Sequence, residues 1–382
     1  MPPTLAKTWA SHWDRAAQRG TYPFDHAPYE DSKRVMEKVI PQFDAGDREA
    51  YTQEFAAAAA PHEARGKEAK AKGDKDTAKK EFLAAYSLYR MARFPCLNTP
   101  GKKAAYLKSQ DCLLAAYADD DSPLIRVEMP FKGRAGEGDK AVGYLRMPKA
   151  RRAGKLPVQI VWGGIDSFKE DMLARTGPFL TRGAATLNID MPGTGNSPVT
   201  GSEDAERQWD AVFDWIAANP ELDEGHVCAW GGSFGGYWAT KVAHTHRERL
   251  AGMASQGGGC HIIFTPDWIA KSQEGGIPWG QNETRGNAFG RPNFEQWRDY
   301  APKLSLLTQG VLDKPCAPLF CVNGVKDPIT PIQDYHIVLE HGGPKEARFF
   351  ANGAHMGTPV DGSPDQATPM VIAWLSQKLG LA

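Results

Sequence analysis

The sequence of 382 residues contains no run near the roughly 20 consecutive apolar residues that a membrane-spanning helix requires. Its first residues also lack a basic segment followed by an apolar one, so we expect no secretory signal and a cytoplasmic location. Neither sign of charge dominates, because 45 Lys and Arg residues stand against 46 Asp and Glu residues. We therefore expect no nucleic-acid or membrane partner, since both need a concentrated basic surface.

Cysteine is scarce, and none of the six residues has CxxC spacing: Cys96, Cys112, Cys228, Cys260, Cys316 and Cys321. No cluster of Cys and His has the spacing of a zinc site. The sequence therefore predicts reduced, mostly buried thiols, with no metal and no cofactor.

The first 121 residues are rich in Ala, Lys, Glu, Leu and Arg, which favour helices. Helices are predicted at 32–40, 46–60, 63–72, 77–93 and 102–117, with breaks at Pro41, Pro61, Gly73 and Pro95. The helix pair around Gly73 has no second copy at a period of about 34 residues, which disfavours a repeat scaffold. We predict a helical N-terminal domain over residues 1–121.

Residues 122–382 alternate short apolar runs with amphipathic stretches. Strands are predicted at 124–131, 141–147, 158–162, 184–190, 227–230, 250–255, 317–322 and 347–350, and helices at 204–218, 237–246, 332–340 and 369–379. Apolar strands that alternate with helices indicate an α/β fold with a mostly parallel, eight-stranded sheet covered on both faces. Residues 257–313 interrupt the alternation, and we predict that they form a cap-like insertion.

The strongest chemical signal is Gly231-Gly-Ser233-Phe-Gly235, a G-x-S-x-G motif between an apolar run and a helical stretch. A serine on such a sharp strand-to-helix turn projects its hydroxyl into a cleft, and small neighbours let the adjacent backbones approach. We predict that Ser233 is a nucleophile. The alternative is a tight glycine-rich turn without catalytic function.

A serine nucleophile needs a general base, which an acid orients. In the chain order Ser, Asp, His, the acid and the base follow later strands. Asp327 follows the strand predicted at 317–322, and His355 follows the one predicted at 347–350. The rival residues lie in or beside predicted helices or before a strand, and we interpret them as packing or surface residues: His244, His246, His336, His341, Asp313 and Asp334.

A developing oxyanion also needs hydrogen-bond donors. We predict the backbone N–H of Phe234 as one donor. The other is expected from the glycine-rich loop after the third strand, from Ile165 or from its neighbour Gly164. Candidate substrate-binding residues are Asp166 in that loop, and Trp268 and Trp279 in the insertion, whose rings could either stack on a substrate or belong to a core.

These features resemble the α/β-hydrolase superfamily, and more narrowly the group of 2,6-dihydroxypseudooxynicotine hydrolase, the fungal polyketide-shortening hydrolases and the fermentation-respiration-switch-like esterases. The resemblance rests on the helical domain with its stretch at 84–95, on the loop at 163–170, and on the serine motif with Asp327 and His355. It implies that the N-terminal domain covers the active site and that Ser233, Asp327 and His355 form a triad.

Members of this group hydrolyse esters or cleave a carbon–carbon bond next to a carbonyl. The resemblance also implies an additional acidic residue that contacts substrate in the pyridine-specific member, with Asp267 and Glu274 as candidates here. The predicted function is hydrolysis of an ester or acyl bond in a small aromatic molecule through an acyl-enzyme. Alternatives are carbon–carbon cleavage of a phenolic or polyketone substrate, peptidase or acyltransferase activity, and a catalytically silent binding module. A homodimer is left open.

Overall fold

The computed structural model describes residues 1–150, 154–272 and 277–381. The chain divides into two compact units. The first comprises Met1–Leu124 and the described part of 274–281, and the second comprises Ile125–Gln273 and Asn282–Ala382. No helix among the described residues has both the length and the hydropathy needed to cross a bilayer.

The first unit is helical. Its helices are α1 (Leu5–Thr8), which continues through a π-helical turn (Trp9–Trp13) into α2 (Asp14–Arg19), then α3 (Tyr29–Asp44), α4 (Glu49–Ala71), α5 (Lys75–Arg93) and α6 (Pro100–Ala116). Side chains cap three of these helices: Thr4 accepts a hydrogen bond from the Lys7 N–H, Asp74 accepts one from the Thr77 N–H, and Thr99 accepts one from the Lys102 N–H. The α1–α2 segment was not predicted, because its turns are too short to show a clear helical period.

Two predicted helix breaks are wrong. Helix α3 passes through Pro41, and α4 continues unbroken through Pro61. An interior proline costs a helix about 3 kcal/mol. Tertiary bonds next to Pro61 offset that cost, because His62 Nδ1 lies 2.7 Å from Glu81 Oε2 and the Tyr89 hydroxyl donates to Glu63 at 2.8 Å.

The second unit contains all eight predicted strands in one sheet. They are β1 (Ile125–Pro130), β2 (Lys140–Arg146), β3 (Leu156–Trp162), β4 (Ala185–Ile189), β5 (Leu222–Gly232), β6 (Gly252–Gln256), β7 (Leu319–Gly324) and β8 (Lys345–Phe350). The strand order is β1-β2-β4-β3-β5-β6-β7-β8. The β1–β2 and β2–β4 pairs are antiparallel and the other five pairs are parallel, as predicted for a mostly parallel sheet.

Helices cover both faces of this sheet. The helices of this unit are α7 (Leu173–Thr181), α8 (Gln208–Ala218), α9 (Gly235–Thr245), α10 (Pro266–Ser272), α11 (Gln281–Ala288), α12 (Phe294–Tyr300), α13 (Ile332–Glu340) and α14 (Ala367–Lys378). Val161 packs in one core with residues of α7 and α14, whereas the next residue, Trp162, packs against Trp209 of α8. Successive strand residues point to opposite faces, so these two contacts place helices on each side.

The stretch predicted as one insertion, 257–313, does not stay within one unit. Most of it belongs to the unit that contains the sheet, but the described part of 274–281 groups with the helical unit. Within that unit, Trp279 packs against the rings of Phe43, Tyr51 and Phe94 at centroid distances of 4.7 to 5.5 Å. Hydropathy along the chain cannot show which of two cores an apolar segment joins.

Candidate active site

Ser233 occupies a strained turn between β5 and α9. Its φ is 55°, in the left-handed region that residues other than glycine seldom adopt. The Ser233 N–H donates to the carbonyl of Gln256 at the end of β6 with an N–O distance of 2.8 Å. A Cβ on Gly231 would overlap the carbonyl of Gly235, so the tight turn requires glycine there. The surrounding backbone therefore holds the strained serine in place.

The structure brings Ser233, His355 and Asp327 together in one chain of hydrogen bonds. His355 Nε2 lies 2.8 Å from Ser233 Oγ, and His355 Nδ1 lies 2.8 Å from Asp327 Oδ2. The histidine and the aspartate come from the loops that follow β8 and β7. Parallel strands end at the same edge of a sheet, so residues far apart in sequence meet beside the serine turn.

The Asp327 side chain is fully buried, and both of its oxygens accept hydrogen bonds. Oδ1 accepts from the N–H of Ile329 at 2.7 Å, and Oδ2 accepts from Asn323 Nδ2 at 2.9 Å besides His355. Burial by itself raises the pKa of Asp327, but His355 and these hydrogen bonds outweigh it and hold the pKa below its ordinary value. The carboxylate is therefore ionised at neutral pH and can orient the imidazole.

Two residues that the sequence analysis missed support the histidine loop. Asn323, at the end of β7, donates to Asp327 and accepts the Met356 N–H at 2.9 Å. Gln256, at the end of β6, donates to the carbonyl of Met356 at 2.8 Å. Polar residues at the last positions of two apolar strands were the signal available in the sequence.

The rival residues have other partners. The Asp334 carboxylate accepts four backbone N–H groups, those of Cys260, His261, Ile262 and Ile263, and so fixes the chain after β6. The rival histidines pair with backbone or with other acids: His244 with the carbonyl of Lys314, His246 with Asp210, and His341 with Asp313, while His336 packs on Phe349.

The loop after β3 lies directly against the serine. A Cβ built on Gly164 would stand 2.8 Å from Ser233 Cβ and 3.3 Å from the nitrogen of Phe234. The Gly164 N–H itself donates to Ser167 Oγ at 2.9 Å, so it is engaged within the loop, contrary to its candidate role as a free donor. Across residues 1–150, 154–272 and 277–381, the N–H groups of Phe234 and Ile165 have no hydrogen-bond acceptor.

A buried ion cluster anchors this loop, and sequence analysis did not identify it. The Lys169 ammonium lies 2.7 Å from Glu170 Oε1, 2.9 Å from Asp190 Oδ2 and 2.6 Å from Asn196 Oδ1, and the side chains of Lys169, Glu170 and Asp190 are almost completely buried. The Lys169 N–H also donates to Asp190 at 2.9 Å. The residues that follow Ile165 are thus tied to the end of β4.

The candidate substrate-binding residues fall in different places. Asp166 is partly buried in the loop after β3, and the Trp268 Nε1 donates at 3.2 Å to the carbonyl of Ile329, two residues after Asp327. Trp279 is 7% exposed and packs among three rings in the core of the helical unit, which is the second of the two roles that the sequence left open for it. Asp267 is exposed in the first turn of α10, and Glu274 lies outside the described residues.

The mostly parallel sheet, the strained serine turn after β5 and the loops after β7 and β8 define an α/β-hydrolase. The chain belongs to the FrsA-like esterase family, whose sequence model, described as Esterase FrsA-like, matches residues 45–379. This confirms the fold class and the resemblance, and it places the chain among hydrolases.

Individual relatives are distant. The hydrolase AcrC of Aspergillus aculeatus is 27% identical over 286 residues, which cover 66% of this chain and 65% of that protein. The esterase FrsA of Citrobacter koseri is 26% identical over 314 residues, which cover 78% of this chain and 70% of that protein. The chain thus matches slightly less than two thirds of the length of AcrC.

Two solved structures share the fold over nearly the whole chain. The 2,6-dihydroxy-pseudo-oxynicotine hydrolase has a TM-score of 0.74 at 21% identity and 96% coverage of each chain. Wild-type AbyA5 has a TM-score of 0.73 at 19% identity, covering 99% of this chain and 94% of its own. At these identities the likeness concerns the fold alone.

Proposed function

We propose that this protein is a serine hydrolase that cleaves an ester or acyl bond of a small molecule through an acyl-enzyme. The observation that supports this most directly is the chain of 2.8 Å contacts from Asp327 through His355 to Ser233. A hydroxyl is a weak nucleophile at neutral pH, and an adjacent imidazole held by a carboxylate activates it.

In the proposed mechanism, His355 Nε2 accepts the Ser233 proton as Oγ attacks the carbonyl carbon. The N–H groups of Phe234 and Ile165, which have no acceptor among the described residues, donate to the tetrahedral oxyanion. His355 then returns the proton to the leaving group, and water activated by the same imidazole releases the acid. Asp327 stays ionised and stabilises the imidazolium between these steps.

An aromatic substrate is part of the proposal. Trp268 is half-buried, and its indole is held next to the loop that carries Asp327, so a ring bound beside the triad could stack on it. The same groups could release a stabilised carbanion in place of an alcohol. Carbon–carbon cleavage of a phenolic ketone is therefore the alternative reaction, and substrate tests must distinguish it from ester hydrolysis.

Labelling with a fluorophosphonate tests the nucleophile. We expect one adduct per chain, mapped to Ser233 by peptide mass spectrometry, absent in Ser233→Ala and retained in Ser363→Ala, which removes a hydroxyl from an exposed loop. Ser233→Ala should lower kcat by several orders of magnitude with an unchanged circular dichroism spectrum. A mutant that keeps more than about a tenth of the wild-type rate would contradict the proposal.

A substrate panel separates the reaction types. Purified protein is assayed with aryl esters and with acyl-phenol ketones, and products are identified by mass spectrometry. Ester products support the proposal, whereas a carboxylic acid and a phenol from the ketones alone would favour carbon–carbon cleavage. A protein that neither takes the label nor turns over any member of the panel would be the silent binding module.

A further inference from the structure

Arg285 is a buried cation with two donor atoms that meet no acceptor among the described residues. It lies on α11, its side chain is among the most deeply buried in the chain, and the residue is 2% exposed. Within the part of the chain that the structure describes, its Nε and Nη1 atoms have no hydrogen-bond acceptor. Leaving a buried guanidinium unpaired is costly, because the charge loses its hydration without compensation.

Two other buried cations of the same unit, Lys169 and Lys241, are paired within the described residues. Lys169 is as deeply buried as Arg285 but contacts Glu170 and Asp190. Lys241 is equally buried and contacts Glu206 at 3.1 Å and Gln309 at 2.9 Å. Unlike these two lysines, Arg285 has donor atoms that meet no acceptor within the described residues, and a bound ligand could supply one.

Arg285 lies next to the serine turn. Its Cζ lies 6.0 Å from the ring centroid of Phe234, the residue after Ser233. Burial lowers the pKa of Arg285 to about 10, and the charge of Asp327 opposes that shift, so the guanidinium is charged at neutral pH. Asp327 accepts hydrogen bonds from His355, Asn323 and Ile329, but none from Nε or Nη1 of Arg285.

We propose that Arg285 binds a carboxylate group of the substrate in the active site of Ser233. The inference rests on the proposed hydrolase function and adds a substrate class to it: esters that carry a negative charge. A planar guanidinium can donate two parallel hydrogen bonds to a carboxylate. It therefore binds that group more specifically than the compact ammonium of a lysine does. An anion held there would lie beside the ring of Phe234, whose N–H is a proposed oxyanion donor.

Two matched substrate pairs test this by steady-state kinetics. The first is 4-acetoxybenzoate and its methyl ester, which differ in the charge of the leaving group. The second is 4-nitrophenyl hydrogen glutarate and its methyl ester, which differ in the charge of the acyl group. We expect Arg285→Met to lower kcat/KM for the anionic member of at least one pair by roughly 10- to 150-fold and for its neutral member by less than about threefold.

Two further variants serve as controls. Arg249→Met removes an arginine that also lies over a phenylalanine ring but is paired with Asp214 and partly exposed, and it should change neither pair. Arg285→Lys keeps the charge without the planar fork and should retain part of the preference. Equal losses on both members of each pair, or no loss on any, would overturn the proposal, as would a wild type that prefers the neutral ester in both pairs.

A binding measurement separates this inference from the proposed function. In a Ser233→Ala background, calorimetry with 4-acetoxybenzoate and with its methyl ester reports affinity without turnover. Weaker binding of the anion alone on adding Arg285→Met supports the anion site even if no ester is hydrolysed by the wild type. Unchanged binding of both compounds, together with kinetics unchanged by Arg285→Met, refutes the anion site while leaving Ser233 chemistry intact.

Discussion

Replacing Gly164 with alanine should slow catalysis while leaving the fold intact. The added Cβ would stand 2.8 Å from Ser233 Cβ and 3.1 Å from Ser233 Oγ. Carbon atoms in van der Waals contact lie about 3.5 to 4.0 Å apart, so the loop or the serine must move by roughly 0.7 Å or more. The position has no left-handed φ, so the effect comes from this contact and not from backbone strain.

The size of the effect follows from the short contact between Ser233 Oγ and His355 Nε2, which is 2.8 Å. A shift of the serine by that amount away from His355 would lengthen this contact to about 3.5 Å, beyond the usual length of a hydrogen bond. A misplacement of about 1 Å in an active site can cost about 100-fold in rate. We expect kcat/KM for a 4-nitrophenyl ester to fall by about 10- to 100-fold. Overpacking should cost about 1 to 3 kcal/mol of the free energy of unfolding.

The matched control is Gly225→Ala, on an exposed part of β5. Its added Cβ meets only Asp223 Oδ1, at 3.3 Å, which is the end of a surface side chain. We expect wild-type kcat/KM there, and urea unfolding of both variants separates loss of fold from loss of geometry. Gly164→Ala with a rate within twofold of the wild type would refute the reasoning that the loop backbone sits against the nucleophile.

Three further predictions concern the buried groups around the triad and the thiols. Asn323→Ala should lower kcat/KM at least about tenfold and cost about 1 to 3 kcal/mol of stability, because the partly buried Met356 N–H and the buried Asp327 carboxylate each lose a partner. The exposed control Asn352→Ala should change neither quantity. The pKa of Asp327 in the folded protein lies below its unfolded value near 3.9. Ionised Asp327 therefore stabilises the fold above about pH 3.9, and this stabilisation is lost as the pH falls through the folded pKa. The difference in unfolding free energy between wild type and Asp327→Asn should therefore shrink between pH 5 and pH 2, and a difference independent of pH would contradict this. All six cysteines are free and buried, and burial raises the pKa of each thiol. Ellman's reagent should therefore react slowly with the native protein and titrate six thiols after unfolding. Fast reaction of the native protein would show that the thiols are accessible.

Much of the fold could be predicted from local pattern. Each of the eight strands lies within a few residues of its predicted position, and α13 has the predicted bounds at 332–340. Strands and helices are visible in the sequence as apolar residues at regular spacing, and the serine motif is visible through its flanking glycines. The roles of Ser233, Asp327 and His355 stay predictions, although the structure brings them within hydrogen-bond distance.

The sequence by itself determined the eight strands, the helices α8, α9, α13 and α14, and the order in which serine, aspartate and histidine follow the strands. The tertiary structure decided which core Trp279 joins and why α4 continues through Pro61. It also decided which N–H groups near Ser233, and which donor atoms of the buried Arg285, meet no acceptor among the described residues. The physical reason is the distance along the chain over which each interaction acts. Periodicity and turn chemistry act between near neighbours, whereas burial and hydrogen-bond pairing depend on residues that only folding brings together.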